Sequence, residues 1–199
     1  MSKIADMSSQ PVVIMLVGLP CSGKSTWARA HLPKMVRIST DDHVLERSQA
    51  AGIDYQEGLE KFYQEAEIKA RLAMADAIAA NQDVVIDQAN LTRSSRANKL
   101  AMFPAHYARI ACFFEVPVEV AIERNAIRKE EVGHWVPEAV IREMAERIEA
   151  PFEPAFDEVI EIPFVSSATQ NAVEDNVVDG DPASSQVSKK VSRTTSAFG

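Results

Sequence analysis

The 199-residue sequence contains only two cysteines, and their placement removes two kinds of structure from consideration. Cys21 lies in a glycine-containing loop and Cys112 inside an apolar run, with no metal-ligand spacing between them. Neither a disulfide framework nor a cysteine-built metal site is expected. No apolar run reaches the roughly 20 residues that a membrane helix needs. The first residues, MSKIADMSSQ, carry no apolar segment of signal-peptide type. Together these absences predict a cytoplasmic protein with no membrane partner. Positive charge is also short: 21 Lys and Arg face 29 Asp and Glu, a formal net charge of −8. That balance argues against an extended surface for nucleic acid of any sequence, and leaves room only for a local basic pocket.

What is present is a chain of ordinary globular composition, 46 % hydrophobic and 25 % charged, long enough for one domain with a substantial core. VVIMLV (12–17) is a short, wholly apolar run suited to a strand buried on both faces. MVRIS (35–39), DVVID (83–87), ARIACFFEV (108–116) and EVIEIPF (158–164) read as four more strands. Helical patterns lie between them. The longest covers about 56–80, where Leu59, Phe62, Ala66, Ala70, Ala73 and Ala77 share one face. Another follows Asn90, and two more begin just after Pro117 and Pro137, a residue suited to helix entry. Strands alternating with helices predict a three-layer α/β/α fold with a five-stranded parallel sheet, over residues 11–164. Residues 165–199 are rich in Ser, Asn, Asp and Thr and read as a disordered polar tail. Its basic cluster, Lys189, Lys190 and Arg193, reads as solvated.

The first strand runs directly into Gly18-Leu19-Pro20-Cys21-Ser22-Gly23-Lys24-Ser25-Thr26, which satisfies G-x-x-x-x-G-K-[ST] ahead of a helix. Each residue type has a task. The glycines let backbone N–H groups turn inward around phosphates, and the helix start offers a positive dipole end. Lys24 neutralises β/γ oxygens, and the Ser25 hydroxyl is a Mg²⁺ ligand. The stretch predicts binding of ATP with Mg²⁺ across Gly18 to Thr26. A thiol at a helix start can have a lowered pKa, which makes Cys21 a candidate redox-sensitive point in the loop.

Downstream residues separate transfer from mere binding. ISTDDH ends the second strand with Asp41 and Asp42, where open parallel sheets bind ligands. One of this pair can take the proton of an attacking hydroxyl; otherwise Asp41 caps the following helix. Asp87, at the end of VVID, is placed either to hold Mg²⁺ or to position the acceptor. Arg93 and Arg96, three apart on one helix face, suggest a pocket for an anionic group, with Lys99 behind them. Arg124 and Arg128, four apart, are placed to close over the transferring phosphoryl group, and the segment EEVGHWVP beyond them reads as a lid. No guanine-selecting N-K-x-D element is present.

Across residues 12–164 the ordered set GLPCSGKSTWAR, STDDH, VVIDQANLTRSSR, EVPVEVAIERNAIR and WVPEAVIREM resembles the P-loop kinase family of polynucleotide 5′-hydroxyl kinases. That resemblance implies a P-loop NTPase fold, with Asp41 as general base and Arg128 on the donor phosphates. It also implies Asp87 and Asn90 on the acceptor side. Val44 stands where the phage member of this family has an acceptor-gripping arginine, with Arg47 one turn on as the candidate substitute, and Ala89 replaces a threonine.

The expectation is an ATP/Mg²⁺-dependent kinase with Lys24, Asp41, Arg124 and Arg128 as catalytic residues. Ser25 and Asp87 hold the metal, and Asp42, Asp87, Asn90, Arg93 and Arg96 shape the acceptor site. The favoured acceptor is a nucleic-acid 5′-hydroxyl end. The alternatives are a small-molecule hydroxyl (nucleoside, sugar or antibiotic) and a non-catalytic ATP-binding regulatory module.

Overall fold

A computed structural model of the chain describes residues 10–164; the proposed tail at 165–199 and its basic cluster lie outside the described residues. The order of elements is β1 (Val12–Gly18), α1 (Lys24–His31), β2 (Val36–Ile38), α2 (Thr40–Ala51) and α3 (Tyr55–Ala79). It continues with β3 (Val84–Ile86), α4 (Arg93–Leu100), β4 (Ala108–Phe114), α5 (Val118–Val132), α6 (Glu138–Arg147) and β5 (Glu158–Ile162). The five strands form one sheet in the order β2-β3-β1-β4-β5, and every pairing is parallel. The α/β/α layering and the five-stranded parallel sheet expected from the sequence are therefore found.

β1 is central because it is apolar on both faces. Val13, Ile14, Met15, Leu16 and Val17 are all fully buried, and its alternating side chains feed two cores. Val13, Met15 and Val17 pack with Ala70, Met74, Ala77 and Leu100 on one face. Ile14 and Leu16 pack with Ala28, Leu32, Val85 and Cys112 on the other. Burial of each such side chain is worth about 1.5–3 kcal/mol, so the strand ending in Gly18 is a rigid base for the loop that follows.

Two local features decide where the site forms. α2 begins at Ser39, whose hydroxyl accepts from the Asp42 amide at 3.2 Å, and this cap sets Asp41 and Asp42 in the first helical turn. α3 begins at Asp54, which accepts from the Glu57 amide. The two helices then approach so closely that a Cβ on Gly58 would lie 1.7 Å from Ser48 Oγ. Only glycine permits that contact, which holds the start of α3 against α2. No helix among the described residues is long and apolar enough to cross a membrane.

Candidate active site

The carboxyl ends of β1, β3 and β2 bring the predicted residues to one edge of the sheet. The Gly18 amide donates to Ala89 O (3.1 Å), tying the glycine loop to the segment after β3. Cys21 and Gly23 have φ of 59° and 95°, left-handed values that a glycine adopts without strain at position 23. A Cβ at Gly23 would meet nothing within 4 Å, so the requirement there is conformational. Leu19 is buried among Ala121 of α5 and Ile141 of α6, joining the loop to the two helices that flank the segment at 133–137. Thr26 is exposed in the first turn of α1, and Pro20 is half-buried.

Lys24 is buried and folds back on its own loop, donating to Gly18 O (2.8 Å), to Leu19 O and to Ser22 Oγ (3.2 Å). Burial pulls its pKa down to about 8, against the upward pull of Asp87 and Asp41. Ser25 Oγ donates to Asp87 Oδ1 at 3.1 Å, so a hydroxyl and a carboxylate oxygen stand side by side, the donor pair a hard cation accepts with phosphate oxygens. Asp87 is 4 % exposed and lies on the Ser25 side of the cleft, which favours the metal role over the acceptor role. Across the loop, Arg128 donates from Nη2 to Asn125 Oδ1 (3.3 Å), while its buried Nε has no partner. An arginine whose charge acts on Cys21 and Lys24 of the loop, with an unpartnered N–H, fits a bound ATP–Mg²⁺ together with Lys24 and the Ser25–Asp87 pair. Among the described residues no three His, Cys, Asp or Glu side chains converge as a metal cage.

Asp41 opens onto the cleft yet is set deep among protein atoms. Burial raises its pKa; the Tyr55 hydrogen bond, Lys24 and Arg128 lower it and do not cancel the rise. The Tyr55 hydroxyl donates to Asp41 Oδ1 at 3.2 Å. The Tyr55 ring meets His134 of the segment between α5 and α6, with centroids 4.0 Å apart. That segment is fastened by Gln56 Nε2, which donates to Trp135 O at 2.5 Å. Asn125 fastens it too, donating to Val136 O (2.8 Å) and accepting from the Val136 amide (2.9 Å). Burial and the neighbouring Arg128 lower the His134 pKa to about 4, so the imidazole is neutral at pH 7.

Several sequence expectations are corrected. Arg96 is fully buried and forms a bidentate pair with Glu153 (2.6 and 2.9 Å). Its Nη1 also donates to the carbonyls of Asn90, Leu91 and Glu149, so it faces the core and not an acceptor. Asn90 is 3 % exposed, with φ 50°. Its amide ties Leu16 O, Ile86 O and Gln88 O together while its Oδ1 accepts from Lys99 (2.6 Å). It is a brace for the strand ends. Asp42 pairs with Arg37 and, at 3.6 Å, with Arg29, so its charge is already answered. Arg47 lies against Phe62 (4.8 Å) and Glu65 (3.3 Å) and does not stand in for an arginine at Val44, which is fully buried. Burial raises the Cys21 thiol pKa despite Arg128, Lys24 and Arg124, the reverse of an activated cysteine. Arg93 is exposed on α4, and Arg124 sits over the Phe164 ring (5.3 Å).

The sequence reading missed Arg37 of β2, which donates to Asp87 Oδ2 at 2.6 Å and also pairs with Asp42. Its signal was a lone cation inside a strand that ends at the site. Tyr55 and Gln56 were also missed.

A family model described as an AAA domain, AAA_33, matches residues 13–151. The chain belongs to that family. Among curated proteins it is similar to the L-seryl-tRNA(Sec) kinase of Methanococcus maripaludis, at 25% identity over 145 residues, covering 70% of this chain and 53% of that protein. It is also similar to heterogeneous nuclear ribonucleoprotein U-like protein 2 of Homo sapiens, at 26% identity over 148 residues, 70% of this chain and 20% of that protein. The chain thus spans about half the length of the first relative and a fifth of the second. Among solved structures, a putative kinase from Chloroflexus aurantiacus aligns with TM-score 0.59 at 17% identity, over 85% of this chain and 97% of that one. A chain of the Pnkp1/Rnl/Hen1 RNA repair complex aligns with TM-score 0.56 at 22% identity, over 72% of this chain and 46% of that one. At these identities the two solved structures show a shared fold with this chain.

Proposed function

We propose that this AAA_33 domain is an ATP- and Mg²⁺-dependent kinase that phosphorylates a hydroxyl of a small acceptor molecule. The observation that carries the reading is the gathering of Asp41, Asp87 and Arg128 about the buried Lys24 of the glycine loop, with Ser25 bonded to Asp87. In a phosphoryl transfer the protein has mostly to position and to neutralise. Gly18 to Thr26 would hold the donor phosphates, with Lys24 leaving its own loop carbonyls to do so. Ser25 and Asp87 would hold Mg²⁺, which when bound supplies charge neutralisation between the phosphates. Arg37 holds Asp87 Oδ2 and so leaves Oδ1 turned toward Ser25. Asp41 takes the acceptor proton, and Arg128 stabilises charge on the transferred group, with Arg124 as its outer neighbour.

A small acceptor is favoured over a nucleic-acid 5′ end because the cations expected to grip a backbone phosphate are otherwise engaged. Arg96 is buried, Arg47 lies 3.3 Å from Glu65 although its Nε has no hydrogen-bond partner, and Val44 offers no charge. The nucleic-acid reading keeps two supports: the Methanococcus relative is named a seryl-tRNA kinase, and Arg93 is exposed at the start of α4. Incubation with labelled ATP and Mg²⁺, against a panel of hydroxylated metabolites and 5′-hydroxyl oligonucleotides, tests both. We expect transfer to a metabolite, and loss of about 10²–10⁴-fold in Asp41→Asn with ATP affinity retained. Full activity of Asp41→Asn would sink the assignment. ATP binding without any transfer would favour a regulatory ATP-binding module.

A further inference from the structure

We propose that Tyr55 is a positioning residue that aims Asp41 at the acceptor hydroxyl only while the segment 133–136 is seated on the start of α3. The inference rests on the reading of Asp41 as the base. Among the described residues, the only hydrogen bond to the Asp41 side chain comes from Tyr55. Asp41 stands in the first turn of a helix at the cleft edge, where a carboxylate otherwise samples several rotamers. The hydroxyl therefore selects one.

Tyr55 is itself aimed by what covers it. Its ring is 5 % exposed, packed on one side with Val44 and Ala66 and on the other with His134. His134 belongs to the segment that begins at Gly133, the left-handed cap ending α5. The next residue of α3, Gln56, holds the backbone of Trp135. Two consecutive α3 residues thus read two consecutive residues of that segment, and one of them also reads the base. Lifting the segment uncovers one face of the Tyr55 ring and frees its hydroxyl, so Asp41 loses its fixed direction. Arg128 completes the link, since it lies on α5 and its charge acts on both Asp41 and Tyr55. A base aimed only under a closed lid favours transfer to a bound acceptor over transfer to water.

The test uses the full chain in a Trp27→Phe background, which leaves Trp135 as the sole reporter of the segment; Trp27 packs on His31 and Phe114, away from Asp41. Tyr55→Phe removes only the hydroxyl. It should lower kcat for the acceptor returned by the screen by about 10-fold or more. Affinity for a non-hydrolysable ATP analogue with Mg²⁺, the melting temperature and the Trp135 emission should stay near wild type. His134→Ala should shift Trp135 emission to the red and lower kcat, with KM for ATP little changed. The double variant should be no slower than the slower single variant, because His134 acts through Tyr55. Wild-type kcat in Tyr55→Phe, or single losses that multiply in the double variant, would overturn the inference. If Asp41→Asn were fully active, the reading of the base would fail instead, which separates the two.

Discussion

The Arg96–Glu153 pair gives the sharpest test of whether α4 serves the acceptor or the core. Arg96 is fully buried and Glu153 is 7 % exposed. Removing one partner of a buried pair typically costs about 3–5 kcal/mol, because the survivor is left as an uncompensated charge. Arg96→Met also strips the carbonyls of Asn90, Leu91 and Glu149 of their shared donor; each unsatisfied group costs about 1–3 kcal/mol, reduced where water enters. The expected loss is therefore at the upper end, about 4–5 kcal/mol. In a domain of this size 1 kcal/mol moves the melting temperature by roughly 2–4 °C, so Arg96→Met should melt about 8–20 °C below wild type. Arg96→Met with Glu153→Leu removes both charges. It should recover the ion-pair part, leaving about 2 kcal/mol for the three carbonyls. Urea titration of the three proteins measures the series. If Arg96→Met melted within about 2 °C of wild type and instead raised KM for the acceptor, the structural role would be wrong.

Gly58→Ala should force α2 and α3 apart, since the new Cβ would lie 1.7 Å from Ser48 Oγ. We expect a loss of about 1–3 kcal/mol, partly recovered by Ser48→Gly and read by denaturant unfolding. A neutral Gly58→Ala would mean that the helices are not in this contact. Lid seating should depend on pH through His134, whose ordinary pKa of about 6.5 is lowered to about 4 in the seated form. Because the seated form refuses a proton that the free form accepts, seating is at full strength above about pH 6.5 and weakens as pH falls toward 4. Trp135 emission in the Trp27→Phe protein should shift over that window and should stop doing so in His134→Asn. An identical pH profile in His134→Asn would assign the titration elsewhere.

The glycine loop was legible because each of its residues answers a local need, such as the left-handed Gly23 or the lysine at a helix start. The five strands were legible for the same kind of reason, as apolar runs bounded by turns. The side chains that hold Asp87 and the strand ends were not, because their contacts depend on which strands become neighbours. Arg37 reaches Asp87 only because β2 pairs beside β3, with Arg37 opposite Val85, and nothing within MVRIS fixes that. Arg96 was misread for a different reason. Spacing placed it on one face with Arg93, but it also lies four residues before Leu100, which is buried, and that second relation wins because an acidic partner waits inside. Asn90 likewise offered a sign, as a residue tolerant of positive φ just ahead of a helix, though its three carbonyl partners come from two strands and a loop.

These corrections share a direction that bears on specificity. Of the arginines that the sequence offered to the site, Arg96 serves the core, Arg47 pairs along the helices and Arg124 rests on Phe164. Arg128 retains an unspent donor, and it lies with Lys24 and Cys21 at the donor end. Lys24, Arg124 and Arg128 thus gather about Cys21 of the glycine loop, whereas the side chains around Asp41 include the aromatic Tyr55 and Tyr63, with the neutral His134 on Tyr55. A chain of net charge −8 has little long-range attraction to add at that end. An acceptor recognised there would gain more from hydrogen bonds and aromatic contact than from charge, in keeping with the small hydroxylated molecule proposed above.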